Sequence, residues 1–137
     1  MNTATVTVEA KSWTEQRIAE SDPSHAVASV VFTTQWSGDL VGSSTCGLLI
    51  DYVAGDPARP ETLEGPYVGY EQVTGALAGR SGSFVLATRG THGGGVADTE
   101  VEVVPGSGTG ELAGLTGSGS YAADAMTYTL TLHYEFR

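Results

Sequence analysis

The sequence predicts an all-β protein: a single eight-stranded antiparallel β-barrel with at most one short helical turn. The composition is the first reason, because 19 of the 137 residues are glycine and only 16% are charged, which is typical of strands joined by tight turns. Alternation of apolar and polar residues is the second. The third is a repeated pattern of Gly, any residue, Leu, any residue and Gly, which begins at Gly38, Gly75 and Gly110.

Length and charge limit the function classes. A chain of 137 residues is one domain, so we expect residues 1–137 to share one core. The net charge of −10 repels phosphate backbones and anionic lipids, so no nucleic-acid or membrane partner is expected. The first residues lack the pattern of a secretory signal, and Cys46 has no partner for an internal disulfide. These features predict a cytoplasmic protein in which Cys46 is a small buried apolar residue.

The first three strands follow from alternation and turn residues. The first is predicted over residues 3–19 and the second, after the turn sequence SDPS, over residues 25–42, where it ends in the first glycine motif. Ser43 and Ser44 are predicted to form the turn into a third strand, which ends at Tyr52. In this strand alternate residues from Cys46 share one face.

The remaining strands are read in the same way. The fourth strand is predicted to run from Tyr67 into the second glycine motif, and the seventh to begin at Ser118. The fifth, sixth and eighth strands are predicted over residues 83–90, 96–104 and 127–136. One helical turn is expected at residues 111–115, between the sixth and seventh strands. The last strand has the clearest alternation, with Tyr128, Leu130, Leu132 and Tyr134 on one face.

The register of the glycine motifs predicts a buried acid. Phe32 shares a face with the first motif, so that face is the interior. If the second motif is oriented alike, counting back by twos places Glu71 and Tyr67 inside. A buried carboxyl without a charged partner has a raised pKa and can donate a proton or a hydrogen bond. Glu71 and Tyr67 are therefore the candidate catalytic residues. The alternative is a solvated Glu71 at the rim, or one that is paired with Arg80 or Arg17.

The candidate ligand-binding residues are rings and hydroxyls predicted to face inward. They are Phe32, Thr34, Trp36, Tyr52, Phe84, Thr88 and Tyr134, and Ser12 is a further inward hydroxyl. Together with one carboxyl they suit an apolar, neutral ligand that carries a few oxygen atoms. The alternative is that the rings simply fill the interior, with Trp36 capping one end of the barrel.

Other chemistries find no support in the motifs. The three histidines, His25, His92 and His133, lack metal-ligand spacing, so no metal is expected. The GSGTG segment from Gly106 is not followed by the Lys and Ser/Thr of a phosphate loop, and no Gly-x-Ser-x-Gly motif occurs. No cofactor is predicted.

Two segments resemble a known family. They are GPYVGYEQVTGALAGRSGSFVLATRG and VVPGSGTGELAGLTGSGSY, and they are similar to the bacterial family called domain of unknown function 3224 over residues 5–136. That family is assigned to the allene oxide cyclase-like barrels, and the Gly-Thr-Gly segment is similar to that of plant dirigent proteins. The resemblance implies the barrel. Superfamily relatives guide cyclisation or coupling of reactive hydrophobic intermediates, and Glu71 is the one residue matched to their polar groups. The helices that cover part of the plant barrels have no counterpart here.

The predicted function is binding of a small hydrophobic molecule, with cyclisation or isomerisation that needs no cofactor and uses Glu71. One alternative is a ligand carrier without catalysis. Another is a filled barrel whose exterior binds a protein partner. The sequence leaves a homo-oligomer open.

Overall fold

The computed structural model describes all residues, 1–137, and shows one closed barrel of eight antiparallel strands. Each strand pairs with the next along the chain, and β1 pairs with β8 to close the barrel. The strands are β1 (Asn2–Asp22), β2 (His25–Gly38), β3 (Leu40–Tyr52), β4 (Gly65–Leu77), β5 (Arg80–Gly93), β6 (Val96–Val103), β7 (Leu115–Ala123) and β8 (Thr127–Phe136). Two short 3₁₀ turns lie at Pro60–Thr62 and Gly110–Leu112. No helix is long and apolar enough to cross a bilayer.

Alternation sets the inner face of most strands, as predicted. In β8, Leu130, Leu132 and Tyr134 are buried, whereas Thr129 and His133 are exposed and Thr131 is half-buried. In β6, Thr99, Val101 and Val103 likewise point inward. Because successive side chains in a strand point to opposite faces, the face that carries the apolar residues becomes the interior of the barrel.

The turn between β2 and β3 differs from the prediction. β2 ends at Gly38, whose φ of 100° lies in the left-handed region that favours glycine. The next residue, Asp39, accepts a hydrogen bond at Oδ2 from the backbone N–H of Thr5, at 2.8 Å. The chain therefore reverses before Leu40, and the predicted Ser43–Ser44 turn is wrong. Ser44 instead lies inside β3 and points into the barrel.

The prediction for Ser12 is also wrong. β1 contains a register shift between Ala10 and Ser12, which moves the following side chains to the opposite face. Ser12 lies outside, where its hydroxyl bonds that of Thr33 at 2.7 Å. Trp13 lies opposite Phe32 and stacks on it, with ring centroids 5.3 Å apart, and it remains 51% exposed.

The first two glycine motifs pair with each other across β3 and β4. Leu40 lies opposite Leu77, and Gly42 lies opposite Gly75. A Cβ on Gly42 would be 2.8 Å from the Cα of Gly75, so these strands approach too closely for any side chain there. The third motif instead forms the second 3₁₀ turn and buries its Leu112 in the same cluster as the other two leucines.

The interior holds two apolar clusters. The large cluster consists of Ala4, Val6, Val8, Trp36, Leu40, Val73, Leu77, Phe84, Leu86, Val101, Val103, Leu112, Leu115, Leu130, Leu132 and Tyr134. The small cluster consists of Ala28, Val30, Phe32, Cys46, Leu48, Ile50, Tyr52, Leu63 and Tyr67. The buried polar set, Thr34, Ser44, Glu71, Thr88 and Thr99, completes the barrel core. On β2, β3 and β4 its members occupy inward positions between the two clusters.

Candidate functional site

Glu71 lies inside the barrel. It points inward from β4 and keeps 3% of its surface exposed. Its cross-strand neighbours are Cys46 on β3 and Leu86 on β5. The carboxyl bonds a serine and no arginine, so the alternative of a solvated or arginine-paired glutamate at the rim is wrong. Its catalytic role stays a prediction.

A chain of side-chain hydrogen bonds ends on this carboxyl. Trp36 Nε1 donates to Thr34 Oγ1 at 2.7 Å. The hydroxyls of Thr34 and Ser44 are 2.5 Å apart, and Ser44 Oγ donates to Glu71 Oε2 at 2.5 Å. An indole N–H can only donate, and Ser44 uses its proton on Glu71. The Thr34 proton therefore goes to Ser44, and every bond in the chain points towards Oε2.

The second oxygen of the carboxyl, Oε1, has no hydrogen-bond partner in the protein. Every fully buried side-chain polar atom except Thr88 Oγ1 has a hydrogen-bond partner. Because Glu71 Oε1 has no partner, it is not fully buried and retains a small accessible surface. The two oxygens of Glu71 are thus unequal. Oε2 is held by the fold, and Oε1 is free to bind something else.

Burial raises the pKa of Glu71, and the hydrogen bond from Ser44 opposes this rise without cancelling it. Desolvation favours the neutral acid because a buried charge loses its hydration. In the neutral acid, the oxygen that accepts from Ser44 is the carbonyl oxygen. The acid proton then resides on Oε1, the oxygen without a protein partner.

Tyr67 shares the inner face of β4 with Glu71 but has different partners. Its hydroxyl lies 2.5 Å from Thr99 Oγ1 on β6 and donates to the carbonyl of Asp98 at 3.4 Å. A Cβ on Gly90 would lie 2.5 Å from the phenol oxygen of Tyr67, so glycine makes room for this ring. Burial raises the pKa of Tyr67. The structure directs Tyr67 towards Thr99, and Tyr67 and Glu71 share no hydrogen bond.

Two further tyrosines face the same interior. Tyr121 on β7 and Tyr128 on β8 are half-buried and stacked, with ring centroids 4.4 Å apart. Burial is the main cause that raises the pKa of each phenol, and the nearby Glu71 and Cys46 add smaller contributions. Both tyrosines therefore lie within electrostatic range of the Glu71 carboxyl.

Sequence reasoning missed Ser44 and Tyr121 as site residues. The sequence predicts a turn at Ser44, and Tyr121 follows a glycine-rich segment with weak alternation. The signal for Tyr128 was present, because it shares the parity of Leu130 in β8.

The remaining predicted ligand-binding residues are distributed through the interior. Thr34 and Trp36 belong to the hydrogen-bond chain. Phe32 lies opposite Cys46 on β3, and Cys46 in turn lies opposite Glu71 on β4. Tyr52 points elsewhere, because its hydroxyl donates to Glu15 Oε2 at 2.9 Å.

The other two rings pack in the large cluster. Phe84 is fully buried there, and Tyr134 makes an edge-to-face contact with Phe136. The barrel thus brings Glu71, Thr34, Trp36 and Phe32 together, but it keeps Tyr52 and Tyr134 apart from the carboxyl.

The outer face of the barrel carries a shallow concavity of about 990 Å³. Its apolar part is formed by Val31, Leu49, Val68 and Tyr70, which point away from the interior on β2, β3 and β4. These side chains are adjacent in the register, and Val68 and Tyr70 are 57% and 64% exposed.

Comparison with known proteins supports a family and a fold. The model of a family described as "Protein of unknown function (DUF3224)" matches residues 4–134. A DUF3224 protein of unknown function from Shewanella oneidensis MR-1 is similar in structure, with a TM-score of 0.71 and 24% identity over 99% of both chains. A structure named pyocyanin demethylase has a TM-score of 0.57 and 17% identity, over 98% of this chain and 100% of its own. A search of the curated proteins found no significant match.

Proposed function

The chain belongs to the DUF3224 family, and on this premise we propose that it is a cytoplasmic barrel that binds a small, uncharged, largely apolar molecule and isomerises it without a cofactor. The observation that carries the proposal is the unequal carboxyl of Glu71. Ser44 occupies Oε2, while Oε1 is unpartnered in a site where burial favours the neutral acid. Such an arrangement is rarely required by a fold, since a hydrophobic side chain of similar size would serve packing at least as well.

The proposed reaction is a proton shift within the ligand. Glu71 Oε1 donates its proton to a carbonyl oxygen of the ligand. The resulting carboxylate accepts the proton of the adjacent carbon, and the electron pair of that C–H bond forms the C=C bond of the enol as the C=O bond becomes single. The acid is thereby regenerated, no atom is gained or lost, and the product is an isomer. An acid with a raised pKa suits both halves of this exchange, because catalytic efficiency is greatest when the pKa is near the working pH.

The hydrogen-bond chain supports the intermediate stage. When Glu71 becomes a carboxylate, Ser44 already donates to it, and Thr34 and Trp36 hold the serine in that orientation. Donors that are fixed before charge develops stabilise it without reorganisation. Trp36 and Thr34 therefore act as positioning residues.

The charge balance of the interior favours an uncharged ligand. The buried polar set contains one acid and no lysine or arginine. An anion would meet no compensating charge, and the protein's net charge of −10 would repel it. The structure named pyocyanin demethylase is a similar barrel with a name that denotes chemistry on a small molecule, which is compatible with this proposal.

The first test asks whether Glu71 is protonated at neutral pH. Infrared difference spectra between wild type and Glu71→Gln should contain the carbonyl band of a protonated carboxylic acid. Glu102→Gln is the matched control, because Glu102 is exposed on the outer face of β6 and its removal should leave that band in place. A difference spectrum that shows only carboxylate bands would contradict the proposal.

The second test concerns the ligand. Mass spectrometry of the protein purified from its native source should detect a copurifying neutral molecule. Wild type should convert this molecule to an isomer, whereas Glu71→Gln should bind it without conversion. If conversion survives in Glu71→Gln, the carboxyl has no catalytic role. If no conversion occurs in wild type while binding persists, the protein is a ligand carrier.

The apolar part of the outer concavity supports a second candidate function, an interaction surface. Val31, Leu49, Val68 and Tyr70 form a contiguous apolar surface on three neighbouring strands, and such surfaces commonly mark protein contacts. A homo-oligomer formed through it should dissociate in Tyr70→Glu, as measured by sedimentation velocity. A wild type that is monomeric at high concentration would exclude this candidate.

A further inference from the structure

Thr88 carries a buried hydroxyl that the fold does not use. The residue is 4% exposed and points inward from β5. Its Oγ1 is the one fully buried side-chain polar atom in the chain without a hydrogen-bond partner. A buried hydroxyl without a partner costs free energy, and folded proteins retain few of them. Valine, with nearly the same shape, would fill this position at lower cost.

The position of Thr88 connects it with Glu71. Thr88 lies opposite Gly69, and Glu71 lies opposite Leu86, so the two polar residues are diagonal neighbours on adjacent strands. Diagonal neighbours on one face are about 7–8 Å apart, a spacing that a single small molecule spans. Gly69, directly opposite Thr88, adds no side chain beside its hydroxyl.

We infer that Thr88 supplies a second polar contact to the ligand of Glu71, so that the ligand is an uncharged ring compound with two polar functions. One function is a carbonyl oxygen that accepts from Glu71 Oε1, and the other is a hydroxyl or second carbonyl that bonds Thr88 Oγ1. The half-buried stack of Tyr121 and Tyr128 provides aromatic surface for the ring itself. This inference rests on the proposed function, because it names the class of molecule that the same site receives.

The ligand-free protein provides the first test. Thr88→Val removes the unpartnered hydroxyl and keeps the shape, so the unfolding equilibrium constant should fall, by up to about tenfold. Thr99→Val is the matched control, because the Thr99 hydroxyl lies 2.5 Å from that of Tyr67. Its removal should raise the constant. Urea denaturation measures both. If Thr88→Val destabilises the protein as Thr99→Val does, the hydroxyl serves the fold and the inference is wrong.

The second test uses three probes of nearly equal shape: tetralin, 1-tetralone and 7-hydroxy-1-tetralone. Titration calorimetry should show that wild type binds the ketone more tightly than tetralin, and the hydroxyketone more tightly again, by about three- to tenfold. Thr88→Val should abolish the second gain and retain the first. If the hydroxyl gain survives in Thr88→Val, the inference fails while the proposed function stands. If wild type binds the ketones no better than tetralin, both fail.

Discussion

Phe84 and Glu71 point into the same barrel from neighbouring strands, yet Phe84 packs among apolar side chains and Glu71 forms a hydrogen bond with a polar one. Phe84 is fully buried in the large cluster, where every side chain is apolar except the hydroxyl of Tyr134 and the indole N–H of Trp36. Glu71 belongs to the buried polar set, in which hydroxyls and a carboxyl replace apolar groups. The large cluster stabilises the barrel by excluding water. The buried polar set stabilises it little for its volume, which is what we expect of a site.

The largest expected effect is on the apolar side of this comparison. Phe84→Ala should lower the free energy of unfolding by about 3–5 kcal/mol, because the lost ring leaves a cavity in a close-packed cluster. Urea denaturation measures the loss. Val41→Ala, on the outer face of β3 with 60% exposure, is the control and should change stability by less than about 0.5 kcal/mol. Similar losses in both variants would show that the large cluster is not the stabilising core.

The next effect is on the polar side. Ser44→Ala removes the donor to Glu71 Oε2 and should cost about 1–3 kcal/mol of unfolding free energy, because the carboxyl oxygen stays buried without a partner. The pKa of Glu71 should rise further, since the bond from Ser44 lowers it. Denaturation and infrared titration measure the two changes. Ser118→Ala, with an exposed serine on β7, should change neither. An unchanged Glu71 pKa in Ser44→Ala would contradict the hydrogen-bond chain.

A third effect separates the two regions by pH. Burial raises the folded-state pKa of Glu71 above its ordinary value of 4.5, so the folded state binds more protons than the unfolded state. The stability that this extra proton binding contributes is fully present below pH 4.5 and is lost as pH rises through the folded-state pKa of Glu71. The stability of Glu71→Gln relative to wild type should therefore increase with pH across this window.

The total change in the stability difference between Glu71→Gln and wild type should be about 1.4 kcal/mol for each pH unit by which folding raises the pKa of Glu71. Denaturation of both proteins at several pH values measures it. Phe84→Ala should show the same pH dependence as wild type, because no titrating group is changed. A constant difference between Glu71→Gln and wild type would mean that Glu71 is not desolvated.

The smallest effect lies outside both regions. Arg89 and Glu100 form an ion pair of 3.1 Å on the outer face, with side chains 76% and 71% exposed. A double-mutant cycle with alanine should give a coupling of about 0.2–1 kcal/mol, which high salt should abolish by screening. A larger, salt-independent coupling would show that this surface is covered by another molecule.

The glycine motifs show how far pattern reading reaches. The register predicts that Leu40 and Leu77 of the first two motifs point inward, and both lie in the large cluster, which also contains Leu112 of the third motif. The shared pattern did not give a shared structure. Two copies pair antiparallel in the sheet, and the third forms a 3₁₀ turn. A short motif fixes local preference, whereas its place in the fold depends on what the rest of the chain pairs with.

Ser44 shows where pattern reading ends. A Gly-Ser-Ser sequence favours a turn, but the left-handed Gly38 reversed the chain a few residues earlier. That change moved Ser44 into β3, opposite Thr34 and within reach of Glu71. Ser12 was misplaced for a similar reason, because a bulge in β1 has no distinct sequence signal.

The sequence by itself determined the barrel and the inner face of most strands, because side chains in a strand alternate between two faces, and it predicted the inward position of Glu71 on the condition that the second glycine motif is oriented like the first. The tertiary structure alone decided which polar groups meet. Ser44 and Glu71 are 27 positions apart, and their contact depends on the register between β3 and β4. Register is set by where each turn reverses and where each bulge falls, and a shift of one residue exchanges the inner and outer faces.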